Sequence, residues 1–181
     1  LTPDGTAVES TLIIDDQFLD SRDQIETLRL AADGSTVHLQ GGLTFTDPPG
    51  DTGILNGTSG PDTLVDTVGV NKELEGGTGN DTYVFSRFFG FDTIDENNTN
   101  SGADEIVFDA TIDPARVIFQ VVNTWDLAIH VLTPDGTAVE STLTIDDQFE
   151  DGRDQIETLR FAADGSTVDL TAPFTFTDPP G

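Results

Sequence analysis

Residues Gly76 to Val84 read Gly-Gly-Thr-Gly-Asn-Asp-Thr-Tyr-Val, a nonapeptide of the form G-G-x-G-x-D-x-U-x in which U is apolar. Few patterns of this length constrain a backbone more tightly. The glycines allow a sharp turn and let carbonyls converge on one spot. The aspartate adds a hard anionic oxygen to that spot, and the apolar eighth residue starts a short strand whose side chain turns inward. A chain of such units coils, with each turn laid on another.

The unit recurs in weakened forms. Gly57-Thr-Ser-Gly-Pro-Asp-Thr-Leu-Val65 keeps Gly57, Gly60, Asp62 and Leu64 at positions one, four, six and eight. Arg87 to Asp95 keeps Gly90, Asp92 and Ile94, and Ser101 to Ile106 keeps Gly102, Asp104 and Ile106. Between the first two turns, Val70-Asn-Lys-Glu-Leu74 carries Lys72 where the aspartate belongs, and an ammonium cannot coordinate a cation. If one nonapeptide makes half a coil, turns two repeats apart stack. Asp62 and Asp81 are separated by two repeats and a single extra position, so they face one another. Lys72 falls on the opposite side with Asp92, where an ion pair worth roughly 0–1 kcal/mol would stand in for a metal.

Hard carboxylate and carbonyl oxygens suit Ca²⁺, and the charge points the same way. Acidic residues number 34 against 7 basic ones, for a formal charge of −27. That balance argues against nucleic acid as a partner, since phosphates would repel the chain. High charge favours disorder where apolar content is low, but here 35% of residues are hydrophobic and they fall in alternating runs. Cations that offset the self-repulsion are the consistent reading. There is no cysteine, hence no disulfide and no thiolate metal site. Neither a signal peptide nor an apolar span of membrane length is visible.

Residues 1–50 recur as residues 132–181, matching at 41 of 50 positions. The differences include Ile13/Thr144, Leu19/Glu150, Leu30/Phe161 and His38/Asp169. The constant shift, from Leu1 to Leu132 and from Gly50 to Gly181, implies tandem units. The chain then divides into the end of one unit (1–50) and a full unit (51–181). Each unit closes on Asp-Pro-Pro-Gly, a stiff turn. Within the full unit, residues 55–106 have the glycine-aspartate pattern and 107–181 alternate like strands. Expected strands are Asp104–Phe108, Arg116–Val122, Asp126–Leu132, Ser141–Asp146, Gln155–Phe161 and Ser166–Leu170. Turn signals stand at Asn123-Thr124, Asp135-Gly136 and Asp164-Gly165, and in the first copy at Asp4-Gly5 and Asp33-Gly34. No helical period is sustained. The expected fold is all-β: a short parallel β-roll followed by an antiparallel sheet of hairpins. Residues 1–50 are expected to pack as hairpins and cover the N-terminal edge of the roll.

The run Leu74-Glu-Gly-Gly-Thr-Gly-Asn-Asp-Thr-Tyr-Val-Phe85, with its neighbouring turns, resembles the RTX (repeats-in-toxin) family of secreted bacterial proteins. Asp104 to Phe108, Asp126 to Ile129, Leu143 to Phe149 and Ile156 to Ala162 resemble the β-rich segment that follows such rolls. The resemblance implies Ca²⁺ held by carbonyls and carboxylates of stacked turns. One implied site uses Thr58, Gly60 and Asp62 with Gly76, Thr78 and Asp81. A second uses Gly77, Gly79 and Asp81 with Ser101 and Asp104. Asp92 is the candidate ligand of the opposite, weakened side. The alternative without metal is a set of Gly-Asp turns joining ordinary strands.

The resemblance also implies a secreted or cell-surface protein exported by the type I route. The expected role is structural: a calcium-dependent module of a large repetitive adhesin or stalk, with calcium ions and neighbouring units as partners. Two alternatives are a module recognising a glycan or cell-surface partner, with Trp125 as the stacking candidate, and an ancillary domain of a secreted hydrolase. No enzyme signature appears in the chain. Asp146-Asp147 with Asp151 and Asp154 form an acidic cluster, expected to be a solvated loop with a further calcium site as the alternative, and His130 is expected to be a surface or half-buried strand residue. Alternation places Phe89 and Phe91 on one side of the chain.

Overall fold

The computed structural model describes residues 27–29, 36–38, 42–46, 53–66, 69–96, 102–150, 155–173, 176 and 179–180. The chain divides into two compact units, Leu1–Leu39 and Gln40–Gly181. In the first, β1 (Thr27–Arg29) and β2 (Thr36–His38) form an antiparallel hairpin with Thr27 opposite His38. Asp4-Gly5 and Asp33-Gly34 lie outside the described residues. The border between compact units therefore falls at Leu39/Gln40, whereas the border of the sequence repeat falls at Gly50/Asp51.

The second unit begins with strands too short to stand alone: β3 (Thr44–Thr46), β4 (Ile54–Asn56), β5 (Thr63–Val65), β6 (Glu73–Glu75), β7 (Thr82–Phe85), β8 (Phe91–Ile94) and β9 (Glu105–Phe108). A 3-10 turn at Pro114–Arg116, capped by Asp113, leads into β10 (Val117–Val122), β11 (Asp126–Leu132), β12 (Val139–Ile145), β13 (Thr158–Phe161) and β14 (Thr167–Asp169). These strands build two six-stranded sheets, in the orders β10-β11-β12-β8-β6-β4 and β14-β13-β9-β7-β5-β3. From β3 to β9 the chain alternates between the sheets, and each strand pairs in parallel with the one two places on. Among the described residues there is no α-helix, hence none long and apolar enough to cross a membrane.

The expectation of parallel strands followed by a separate antiparallel sheet is corrected here. β12 pairs in parallel with β8, and β13 in parallel with β9, so the hairpins extend both sheets and make them mixed. The reason lies at the edges: β8 and β9 end the run of short parallel strands, and without a neighbour each would present unpaired N–H and C=O groups. The strand positions otherwise follow the alternation, and Asn123, Gly136 and Gly165 sit at their turns with positive φ of 59°, 69° and 76°.

Inward residues form two columns fixed by register. One runs Phe45, Leu64, Tyr83, Ile106, Leu159; the other Leu55, Leu74, Ile94, Ile145, Leu127. A cluster of Phe85, Phe89, Phe108 and Phe161 fills the space beside them, with Phe85 and Phe89 ring centroids 5.1 Å apart. Phe89 and Phe91 do not share a side. Phe88 (φ 67°) and Gly90 (φ 111°) break the alternation, burying Phe89 fully and leaving Phe91 61% exposed.

Candidate metal centre

The turns Gly57–Asp62 and Gly76–Asp81 lie directly on one another, and their glycines are what permit it. A Cβ on Gly77 would sit 2.2 Å from the Thr58 carbonyl oxygen, one on Gly57 would sit 2.3 Å from that of Gly76, and one on Gly79 would sit 2.6 Å from the Gly60 carbonyl carbon. Gly77 and Gly79 also have φ of 91° and 141°, a region that favours glycine. The carbonyls of Thr58, Gly60 and Gly76 thus reach the space between stacked turns, and Thr58 O accepts the Thr78 N–H at 3.2 Å.

A column of carboxylates runs along this side. Asp62, Asp81 and Asp104 are each at least 96% buried. In each step the backbone N–H of one acidic residue donates to the carboxylate of the next: Asp62 N to Asp81 Oδ1 at 2.7 Å, and Asp81 N to Asp104 Oδ1 at 2.7 Å. Leu43 N donates to Asp62 Oδ1 at 2.9 Å at one end, and Asp104 N donates to Glu157 Oε2 at 2.7 Å at the other. The insertion between Asp92 and Asp104 therefore leaves Asp104 stacked on Asp81, although they are 23 residues apart.

The second oxygens differ. Asp62 Oδ2 accepts from both the N–H and the hydroxyl of Thr58, at 2.6 Å each. Asp81 Oδ2 is buried without a hydrogen-bond partner, and Gly76 leaves room beside it that a Cβ would fill at 2.6 Å. Burial raises the Asp81 pKa, and the nearby Asp62 charge raises it further despite the opposing Asp62 N–H. Burial likewise pushes Asp104 up to about 6, with Asp81 and Glu157 adding to it against the Asp81 N–H. An orphaned buried oxygen, stacked anions that disfavour their own charge, and a lining of hard oxygens all fit a divalent cation such as Ca²⁺.

On the opposite side, Lys72 N donates to Asp92 Oδ1 at 2.7 Å, so Lys72 does stack with Asp92, and both are buried. Ser101 lies outside the described residues. Three participants stand outside the expected ligand sets. Glu157 arrives from the position just before β13, Glu96 accepts the Tyr83 hydroxyl, and that hydroxyl in turn accepts the Gly76 N–H at 2.7 Å. Burial, with Glu96 beside it, holds Tyr83 well above the usual tyrosine range.

Away from the column, Asp146 and Asp147 gather with Asp126, their carboxylate oxygens within 4.8 Å of one another; Asp151 and Asp154 lie outside the described residues. Burial and the charges of Asp126 and Asp147 raise Asp146 to about 6. His130 is buried, not at the surface or half-buried as expected, because it lies in β11 between Gln120 and Thr142, at 3.1 and 2.9 Å, and burial lowers its pKa. Trp125 is 45% exposed in its turn. Its carbonyl accepts the N–H of Phe149, which lines an apolar groove of about 410 Å³ with Val121, Thr124, Pro173 and Phe176.

No family model matches the chain, and no curated protein does.

Proposed function

We propose that this protein is a calcium-dependent structural module of RTX type, a short β-roll closed by antiparallel strands, from a repetitive extracellular adhesin or stalk. The observation that carries the reading is the buried column Asp62, Asp81, Asp104 over glycine turns, with Asp81 Oδ2 lacking a hydrogen-bond partner. Asp62, Asp81 and Asp104, with the carbonyls of Thr58, Gly60, Gly76, Gly77, Thr78 and Gly79, would hold the ions, and Asp92 would serve the weaker side. Bound Ca²⁺ would neutralise the facing carboxylates and bridge successive turns.

Where calcium is scarce, the mutual repulsion of these anions keeps the unit loose. Outside the cell, binding to the folded state alone stabilises it by mass action. An affinity of about 10⁻⁴–10⁻³ M is usual for extracellular calcium modules. The reading assigns no catalysis to the chain.

Calcium titration followed by circular dichroism tests this, with magnesium as control. Calcium is expected to raise the β signal and the melting temperature, and magnesium to substitute poorly because it demands a small octahedral shell. A sample in EDTA that keeps its full β signal and melting temperature would refute the reading. A second reading, recognition of a glycan or cell-surface partner, is favoured by the exposure of Trp125 beside the apolar groove. A glycan-dependent shift of Trp125 fluorescence, abolished by Phe149→Ala in the groove, is the outcome that would favour it.

A further inference from the structure

The segment Leu43–Thr46 comes from the end of one sequence unit, yet it pairs with the start of the next. β3 lies parallel to β5 with Thr44 opposite Thr63, Phe45 opposite Leu64 and Thr46 opposite Val65. Thr63 N donates to Leu43 O at 2.8 Å, and Leu43 N donates to Asp62 Oδ1, the first rung of the carboxylate column. β3 is also the last strand of its sheet, so it closes the edge that β5 would otherwise leave open.

The same sequence returns in the second copy, where Phe176 is the counterpart of Phe45 within a shared Thr-Phe-Thr-Asp-Pro-Pro-Gly. The two copies share the register of one hairpin. The β1–β2 register (Thr27↔His38, Leu28↔Val37, Arg29↔Thr36) reappears at the same offset in β13–β14 (Thr158↔Asp169, Leu159↔Val168, Arg160↔Thr167). The two phenylalanines differ: Phe45 lies in β3, and Phe176 lies in no strand. Phe45 is half-buried against the next coil, whereas Phe176 is 45% exposed, with its ring on Phe149.

We propose that the segment centred on Phe176 is a strand handed to a following unit, where it pairs with that unit's counterpart of Thr63–Val65 as β3 pairs with β5 here. Each unit then completes its neighbour's first coil. The contact is strand addition: main-chain hydrogen bonds supply the pairing, and the phenylalanine fills the inward position opposite a leucine. Because the donor end and the acceptor end are different surfaces, the contact propagates along an array in one direction. It would also hold the first carboxylate of each column in place through the preceding unit's backbone N–H. The inference rests on the tandem-array part of the proposed function and is independent of calcium.

The test uses the full chain and a version extended after Gly181 by a second copy of residues 51–181, both in saturating calcium. Amide exchange at Phe176 is expected to slow about 100-fold or more in the extended chain, reaching the protection of Phe45. Equal exchange at Phe176 in the two chains overturns the proposal. Phe176→Pro removes a ladder donor. In the extended chain it is expected to split one melting transition into two, and in the parent chain to lower the melting temperature by no more than about 2–4 °C, from the lost ring contact with Phe149. Equal destabilisation of both chains would mean that the segment serves its own unit, which also overturns the proposal. Handover protection that persists in EDTA, with no response to calcium, would sink the calcium reading and leave this one standing.

Discussion

At Gly77 a methyl group would meet backbone, not a side chain that can swing away: the Thr58 carbonyl oxygen is 2.2 Å from where the Cβ would stand. Gly136 has a similar left-handed φ, 69° against 91°, but nothing lies within 4 Å of its Cβ position. Gly136→Ala is therefore expected to cost about 1 kcal/mol, the price of the backbone region alone. Gly77→Ala adds overpacking and is expected to cost about 3 kcal/mol or more by urea denaturation. Equal costs would mean the stacked turns are not in van der Waals contact. Asp81 gives a second test at this scale. Its charge is disfavoured by burial and by Asp62, so Asp81→Asn is expected to raise the melting temperature in EDTA and to shrink the gain on adding calcium. Asp92→Asn is expected to shrink that gain less, since Lys72 is its stacked neighbour. These placements were legible because the nonapeptide spacing sets Asp62 and Asp81 apart by the same offset that the β5–β7 register uses, Thr63 to Thr82. Glu157 was not legible. It follows the Gly-x-Asp-x-apolar run Gly152 to Ile156 but is not that run's aspartate, and it reaches the column only through the β13–β9 pairing.

Strands of three or four residues gain little from their own ladders, so the short strands of the second unit hold through the inward columns and the phenylalanine cluster. Phe89 is the sharpest case, because it lies outside any strand and yet is fully buried among Phe85 and Phe108, 5.1 and 5.9 Å away. Phe89→Ala is expected to cost about 3–5 kcal/mol in chemical denaturation, and Phe91→Ala, on the exposed face, about 0.5 kcal/mol or less. Strand positions followed from alternation almost everywhere. Alternation failed at Phe88-Phe89-Gly90, since a period of two holds only while φ stays negative. Sheet order was beyond reach for a different reason. The β12–β8 and β13–β9 pairings join distant segments, setting Thr142 against Phe91 and Thr158 against Glu105. The bidentate ion pair of Arg87 with Glu140, at 2.7 and 2.6 Å, spans a similar stretch of chain. No local pattern encodes which distant strand takes an open edge.

For the molecule as a whole, a formal charge of −27 and a buried anionic column make acid an unusual stabiliser. Asp81, Asp104 and Asp146 all have folded pKa values above the ordinary 3.8, the last two at about 6. Such a group binds its proton in the folded state first. For Asp104 and Asp146 the charge therefore weakens the fold above about pH 6, and that penalty is relieved as the pH falls from 6 toward 4; Asp81 acts in the same direction. His130, lowered by burial, works the other way, because the unfolded chain takes up its proton first below about 6.5. It is one group against three. Asp135, Asp164 and Asp169 are held low by the hydroxyls of Thr133, Ser166 and Thr171, with support from N–H groups of the same turns, and their contribution is lost only below about pH 4. In EDTA the melting temperature is thus expected to rise from pH 7.5 to a maximum near pH 5 and to fall again below 4. At pH 7.5, 1 M NaCl is expected to raise it as well by screening the surface share of the repulsion, though less than acid does, because the buried column is poorly screened. Calcium reverses the slope, since protons then compete for the oxygens that hold it, and its stabilising effect shrinks between pH 7.5 and 5. Differential scanning calorimetry across that range, with and without the ion, measures both slopes. A metal-free protein that loses stability steadily on acidification from pH 7.5 would show that the stacked carboxylates are already compensated within the fold, leaving calcium no repulsion to relieve.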